Sequence, residues 1–139
     1  MENKHLESAL VILKNMKYMT LATVCDDGSP WNTPLAPNLK EDLTFTWGSN
    51  EDSVHSQNIK NEKRVFVVIF DSNAEEGTGV GLYMKGLAEE LDYSECTLKM
   101  YVFIPEKIWI NDEEKNKNGS FKKDIRIELN LENLKNAFK

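Results

Sequence analysis

The pattern of hydrophobic and polar positions predicts a helix at each end of the chain, one in the middle, and six or seven strands. Residues 2–17 carry leucine and methionine at three- and four-residue steps, as in an amphipathic helix. The predicted strands are 18–25, 30–36, 43–47, 64–70, 80–91, 107–110 and 124–129, and the last helix is 131–138. Short strands at this spacing favour a mainly β fold, a small β-barrel with peripheral helices.

The middle of the chain, residues 45–70, is the stretch around which this pattern is organised. Gly48 and Ser49 are predicted to end a strand at Trp47, and Asp52 or Ser53 is placed to cap a helix that runs to about Lys60. The dense apolar run that follows predicts a strand buried on both faces.

Turn and bulge signals divide the remaining strands. Asp-Gly within residues 26–29 predicts a hairpin turn. The two prolines of 30–36 mark the returning strand as an edge or irregular segment. Gly86, in the middle of a long strand, indicates a bulge or the close approach of another backbone. Residues 93–103 fit a short helix followed by a strand, and 112–123 predict a polar loop.

Composition narrows the class of protein. The 139 residues favour a single domain, and a net charge of −6 argues against nucleic acid or an anionic membrane as partner. No apolar run approaches the ~18 residues of a membrane span, and no signal-peptide pattern opens the chain, so the cytoplasm is the expected location. With two cysteines and two histidines in no ligand spacing, a structural zinc site is not expected, and Cys25 and Cys96 are expected to be inert, buried thiols.

The start of the predicted middle helix is the place where chemistry concentrates. It combines free backbone N–H groups with the side chains of Ser53, His55, Ser56 and Asn58, a set that suits a phosphate. Taken alone, Ser53 and His55 are better explained as a helix cap followed by an exposed histidine. No hydrolytic or acid–base set is present in the sequence, so any catalysis is expected to come from a cofactor.

Four segments, in this order and spacing, resemble the FMN-binding split-barrel family of pyridoxamine 5′-phosphate oxidase-like flavoproteins. They are LATVCDDGSPWNTP (21–34), LTFTWGSNEDSVHSQNIKNEKRVFVVIFD (43–71), GVGLYMKGLAEEL (79–91) and IPEKIWIND (104–112). The resemblance implies a six-stranded split barrel that forms a homodimer with one FMN per subunit at the interface. It also implies an oxidoreductase that takes a small organic substrate over the flavin.

The resemblance also assigns roles to individual positions. Trp31, Asn32, Thr33 and Pro34 lie where the family lines the isoalloxazine ring, and Thr46, Trp47, Gly48 and Ser49 lie at the strand end that faces the ribityl chain and ring. Ser53 and His55 match positions that take the phosphate, and Trp109 matches a tryptophan that the neighbouring subunit often lends to the flavin site. Each of the three tryptophans also has a plain packing role as its alternative.

Two departures from the family pattern bear on function. Val54 stands where many relatives have arginine, so a phosphate there would rest on His55, hydroxyls and amides, or would be helped by Lys60, Lys63 or Arg64. The stretch 111–123 lacks the arginine and histidine pattern of the vitamin-pathway oxidases, so oxidation of pyridoxamine phosphate is not expected. The alternatives are a non-catalytic protein that sequesters or senses FMN or haem, and a pocket for a deazaflavin.

Overall fold

The computed structural model describes residues 2–74, 80–91, 98–115 and 121–139, which form three helices and eight strands. The helices are α1 (Glu2–Asn15), α2 (Val54–Asn61) and α3 (Leu131–Phe138). The strands are β1 (Met19–Val24), β2 (Pro30–Leu35), β3 (Asn38–Leu39), β4 (Phe45–Ser49), β5 (Arg64–Phe70), β6 (Gly81–Leu91), β7 (Lys99–Lys115) and β8 (Phe121–Leu129). All three predicted helices are confirmed, while the helix suggested ahead of β7 falls mainly on residues 92–97, outside the described ranges.

One antiparallel sheet with the order β2-β1-β5-β6-β7-β4-β3 makes up most of the molecule. The long strand β7 pairs with β6 along one side and is shared by two partners along the other. Its first part pairs with β4, and its second part pairs with β8. The sheet curls around one apolar core, which confirms the predicted mainly β class with peripheral helices.

Strand β5 corrects one sequence-based expectation. Val65, Val67 and Ile69 are buried in the core, whereas Phe66 and Val68 are half-buried and Phe70 is 55% exposed. The prediction of burial on both faces is therefore wrong. In an antiparallel sheet with its helices on one side, the second face of an apolar strand remains accessible.

Strand β7 is much longer than predicted, because it continues through Pro105 and on to Lys115. The predicted polar loop 112–123 is wrong for 112–115 and 121–123, which pair in the β7–β8 hairpin. The hydrogen bonds that join two strands are made by the backbone and do not depend on the side chains. A high content of charged residues therefore does not by itself predict a loop. Strand β4 likewise runs through Gly48 and Ser49 instead of ending before them.

A β-bulge interrupts the pairing of β6 and β7, as the glycine in the middle of β6 suggested. Lys85 pairs with Lys107 and Gly86 with Pro105, so Glu106 is an additional residue on β7. A Cβ atom at Gly86 would lie 2.1 Å from the carbonyl oxygen of Ile104. Both expectations at this position, a bulge and a close backbone approach, are confirmed.

Packing places α2 against the barrel and joins the two terminal helices. Helix α2 contacts β1, β2 and β6, and α1 contacts α3, whose Leu134 is fully buried. Among the described residues, no helix has the length and apolarity needed to cross a bilayer.

We expect Gly86→Ala to lower the free energy of unfolding by about 2 kcal/mol or more, because the added methyl group would overlap backbone that cannot move aside. Chemical denaturation measures this change. Gly48→Ala is the matched control, since its Cβ meets only ordinary contacts, the nearest being the Met100 Sδ at 3.5 Å. If the two variants lose equal stability, the close approach is not what requires glycine at position 86.

Candidate functional site

The N-terminus of α2 is built around Ser53, which the structure confirms as the N-cap. Its backbone is extended (φ −64°, ψ 153°), and its Oγ accepts a hydrogen bond from the Ser56 N–H at 3.4 Å. The same Oγ lies 2.7 Å from the Ser56 Oγ. The N–H groups of Val54 and His55, in the first turn, have no carbonyl partner within the helix. They are therefore available to an anion at this end.

His55 is buried at this helix start, with only 7% of its surface exposed. Its Nε2 lies 2.9 Å from the Ser49 Oγ and 3.4 Å from the Ser53 Oγ. The alternative of an exposed histidine is therefore wrong. Burial lowers the pKa of His55 below its ordinary value of 6.5, so the imidazole is neutral at pH 7. The site thus joins three predicted residues from β4 and α2 through one neutral ring.

A buried chain of hydrogen bonds holds α2 against β1 and β2. The Asn58 Nδ2 donates to the Thr23 Oγ1 at 3.0 Å and lies 3.5 Å from the Cys25 Sγ. The Thr23 Oγ1 in turn donates to the carbonyl oxygen of Trp31 at 3.5 Å. Thr23 and Asn58 are 2% and 6% exposed. Sequence reasoning missed Thr23, because a threonine in an alternating strand gives no signal of its partner on a distant helix.

Strand β2 leads away from this cluster along the edge of the sheet, as predicted for a proline-bearing edge strand. Trp31 is 45% exposed and lies opposite Thr23, and Pro34 lies three residues further on, roughly 10 Å along the strand. Between them, the hydroxyl of Thr33 is buried and has no hydrogen-bond partner in the described part of the chain. Asn32 is exposed on the other side.

A cavity of about 780 Å³ opens at the far end of β2. It is lined by the C-terminal part of α1, the start of β1, the end of β5 and the residues that follow β5. Thr20, Pro34 and Val68 are among its lining residues. The edge strand β2 therefore runs from the polar cluster at α2 to this cavity, whose lining is mainly apolar.

The remaining predicted residues lie apart from this cluster. Trp47 is 2% exposed and stacks on Tyr101, with ring centroids 5.8 Å apart and an interplanar angle of 20°. Trp47 therefore packs in the core, which was the alternative to a flavin contact. Its indole N–H is buried without a partner in the described structure. Thr46 is half-buried and, by the alternation of the strand, faces the opposite side from Trp47.

Trp109 lies on the outer face of the sheet, the face turned away from the core. It stacks on Phe66 with centroids 6.3 Å apart and an interplanar angle of 14°. With Tyr83 and Arg126, this pair lines a second cavity of about 280 Å³. Only Trp109 was singled out from the sequence, since the other three belong to strands that are far apart along the chain.

The family model described as pyridoxamine 5′-phosphate oxidase matches residues 7–125. None of the curated proteins compared matches the chain.

Several solved structures share the fold at low sequence identity. A protein of unknown function from Agrobacterium tumefaciens has a TM-score of 0.71 and 18% identity over 78% of this chain, which spans 56% of that protein's length. A heme binding protein from Mycobacterium smegmatis has a TM-score of 0.69 and 16% identity, covering 96% of this chain and 59% of that one. A Clostridium acetobutylicum protein related to general stress protein 26 of B. subtilis, of the pyridoxinephosphate oxidase family, has a TM-score of 0.67 and 16% identity, covering 96% and 99%. The predicted split-barrel fold is confirmed.

We expect the stability of the free protein to fall between about pH 7.5 and about pH 5.5, in part through His55. Its pKa is lower in the folded state than in the unfolded state. The stabilising contribution is therefore present above the unfolded value and is lost as the pH falls through the folded one. Thermal unfolding across this range should show a shallower pH dependence for His55→Gln. Identical slopes in the parent protein and in His55→Gln would contradict the assignment.

Proposed function

Because this chain belongs to the pyridoxamine 5′-phosphate oxidase family, we propose that it is an FMN-binding protein that transfers electrons to or from a small organic substrate. The observation that carries the proposal is the cluster at the start of α2, where Ser49, Ser53 and His55 meet beside unpaired helix amides. When bound, FMN supplies reversible one- and two-electron redox chemistry. The chain's own residues would bind and orient it.

The phosphate end has donors but no fixed cation. The amides of the first helical turn and the hydroxyl of Ser53 can donate to phosphate oxygens, each such bond being worth roughly 1.5–3 kcal/mol. The His55 ring, neutral in the free protein, becomes a better donor when a dianion beside it stabilises the protonated form. The acidic chain and the absence of a charge at Val54 make these few donors the main source of affinity.

The ring end has a flat support and an unused polar group. Strand β2 presents Trp31 along an edge that no further strand covers in the described sheet, and Pro34 stiffens the backbone further along it. The unpartnered hydroxyl of Thr33 is placed to meet a hydrogen-bonding atom of the ring. Burial of a polar atom without a partner costs about 1–3 kcal/mol, which a ligand there would recover. In this proposal a second subunit covers the other side of the ring and contributes its own Trp109.

Non-catalytic binding is the second candidate function. The structural similarity to a heme binding protein from Mycobacterium smegmatis favours a cofactor-holding role over turnover. In that case the chain would sequester or sense FMN, haem or a related cofactor. A Soret band formed on adding hemin, with no flavin binding, would support this candidate against the first.

We expect Ser53→Ala combined with His55→Ala to weaken FMN binding at least tenfold, the loss that corresponds to ~1.4 kcal/mol. The reason is that the pair removes a hydroxyl donor and the imidazole from the phosphate end. Quenching of flavin fluorescence on titration with the protein measures the affinity. The control is Asn130→Ala combined with His5→Ala, which removes the N-cap of α3 and the other histidine. An unchanged FMN affinity in the first variant would remove the phosphate assignment.

We expect FMN binding to take up a proton and to be tighter at about pH 6.5 than at about pH 8, because a phosphate dianion raises the pKa of His55 above its lowered value in the free protein. Titration calorimetry in two buffers of different ionisation enthalpy measures the uptake. His55→Gln should bind with less uptake. Equal uptake by the parent and by His55→Gln would show that the proton goes elsewhere.

A further inference from the structure

Helix α2 depends on its neighbours for its position. It has only eight residues, Val54–Asn61, and an isolated helix of that length is barely populated in water. Its main contacts are with β1, β2 and β6. Two of its asparagines make polar ties to β1 and to the turn that follows β1. These ties therefore help to decide where the amides of the first helical turn lie.

Asn58 makes the buried tie. Its Nδ2 donates to the Thr23 Oγ1 at 3.0 Å and lies 3.5 Å from the Cys25 Sγ, which can accept the second hydrogen of the amide. Because the Thr23 oxygen accepts from the amide, its own hydrogen is donated to the carbonyl oxygen of Trp31, 3.5 Å away. Asn58 and Thr23 are both buried. The chain of hydrogen bonds thus runs in one direction, from the helix to the backbone of the edge strand.

Asn61 makes a second tie one turn further along α2, and this tie is exposed. Its Nδ2 lies 3.1 Å from the Asp26 Oδ1, in the turn between β1 and β2. Residues three apart lie on the same face of a helix, so both asparagines face the hairpin. An exposed hydrogen bond is exchanged for one with water at little cost. The buried chain is therefore the tie that can hold the helix in a fixed position.

The polar nature of this buried contact has a physical consequence. Replacing both partners of a buried hydrogen bond by apolar groups of similar shape is close to neutral for stability. Apolar contacts are non-directional, so they would let the helix shift along the strands. A fully satisfied hydrogen-bond chain specifies one arrangement. Asn58 and Thr23 therefore fix where α2 lies, beyond attaching it to the sheet.

This chain connects the two ends of the proposed ligand site. The amides of Val54 and His55 lie about 5–6 Å from Asn58 along the helix axis. At its other end, the chain reaches the backbone of Trp31, the first residue of the segment proposed to support the ring. A ligand with a phosphate and a ring on one flexible chain contacts both ends at once. The second contact adds affinity only when the two ends are held at the span of the ligand.

We propose that Asn58 and Thr23 are positioning residues that make the site selective for a molecule with a phosphate monoester and a flat ring at a fixed separation. Neither side chain touches the ligand, and both act by holding α2 in place against β2. This role rests on the proposed function, since FMN is taken as the molecule that spans both ends. It adds which residues set the span, and why riboflavin, which lacks the phosphate, is bound far more weakly.

The test compares FMN with riboflavin, using the full-length protein and quenching of flavin fluorescence. The parent protein should bind FMN at least a hundredfold more tightly, because several charge-assisted hydrogen bonds hold the phosphate. Asn58→Leu and Thr23→Val should each lower this ratio at least tenfold. The loss should lie in FMN binding, while riboflavin binding changes less than about threefold. Riboflavin contacts mainly β2, whose pairing with β1 is retained in both variants.

Matched variants separate positioning from loss of structure. Thr23→Ser keeps the hydroxyl and loses only a methyl group, so it should retain the parent ratio. Asn61→Leu removes the exposed tie to Asp26 on the same face of α2 and should retain it as well. A purely structural role would weaken both flavins together or neither of them, and would leave the ratio unchanged in every variant.

A measurement on the ligand-free protein supplies a second readout. Hydrogen exchange of the α2 amides should be faster in Thr23→Val than in Thr23→Ser, while exchange in β6 and β7 should be the same in both. Equal exchange of the α2 amides in the two variants would overturn the positioning role. Because both variants change one small group, this comparison stands even if Asn58→Leu fails to fold.

The binding outcomes also separate the positioning role from the proposed function. A parent protein that binds neither flavin overturns the proposed function and the positioning role with it. A parent protein that binds both flavins equally overturns the positioning role, because no phosphate is then held at α2. A parent protein that prefers FMN, with the same ratio in folded Asn58→Leu or in Thr23→Val, leaves the proposed function standing and overturns the positioning role alone.

Discussion

The close approach of β6 and β7 at Gly86 is the constraint on which the rest of the structure depends. With no side chain at that position, the carbonyl of Ile104 can lie where a Cβ would be, and the extra residue Glu106 is accommodated. Bulges increase local twist and bend the strand that carries them. The bend divides β7 into a part that pairs with β4 and a part that pairs with β8. The curl of the sheet, and hence its inner and outer faces, follows from this division.

Each face carries a different kind of polar chemistry. On the inner side, the hydrogen bonds from Asn58 through Thr23 to the Trp31 carbonyl fix α2 relative to the edge strand. That connection sets the distance between the helix amides and the flat surface of β2. On the outer side, Lys85 and Lys107 are exposed and directly opposite one another, and the rings of Phe66 and Trp109 stack on the same face.

The order and type of most elements could be predicted from the sequence, because alternation, turn residues and caps are local. The cap at Ser53 and the bulge at Gly86 are the clearest cases. The burial of His55 could not be predicted, since it depends on how the start of α2 packs against the end of β4, where Ser49 lies 2.9 Å from the imidazole. Strand β7 is longer than its sequence predicts, because Pro105 and the charged residues after Ile110 resemble strand ends, whereas pairing with β6 and β8 supplies the ladder bonds there. The pocket on the outer face could not be predicted from the sequence, because the register between neighbouring strands decides which of its side chains meet.

The edge strand β2 has a further consequence for how the molecule behaves in a crowded solution. Two of its six residues, Pro30 and Pro34, carry no amide hydrogen. A foreign strand that docked alongside would therefore find gaps in the row of donors it needs. Open edges of this kind otherwise recruit further chains into fibrils. The two prolines thus protect the molecule against repeated strand addition along this edge.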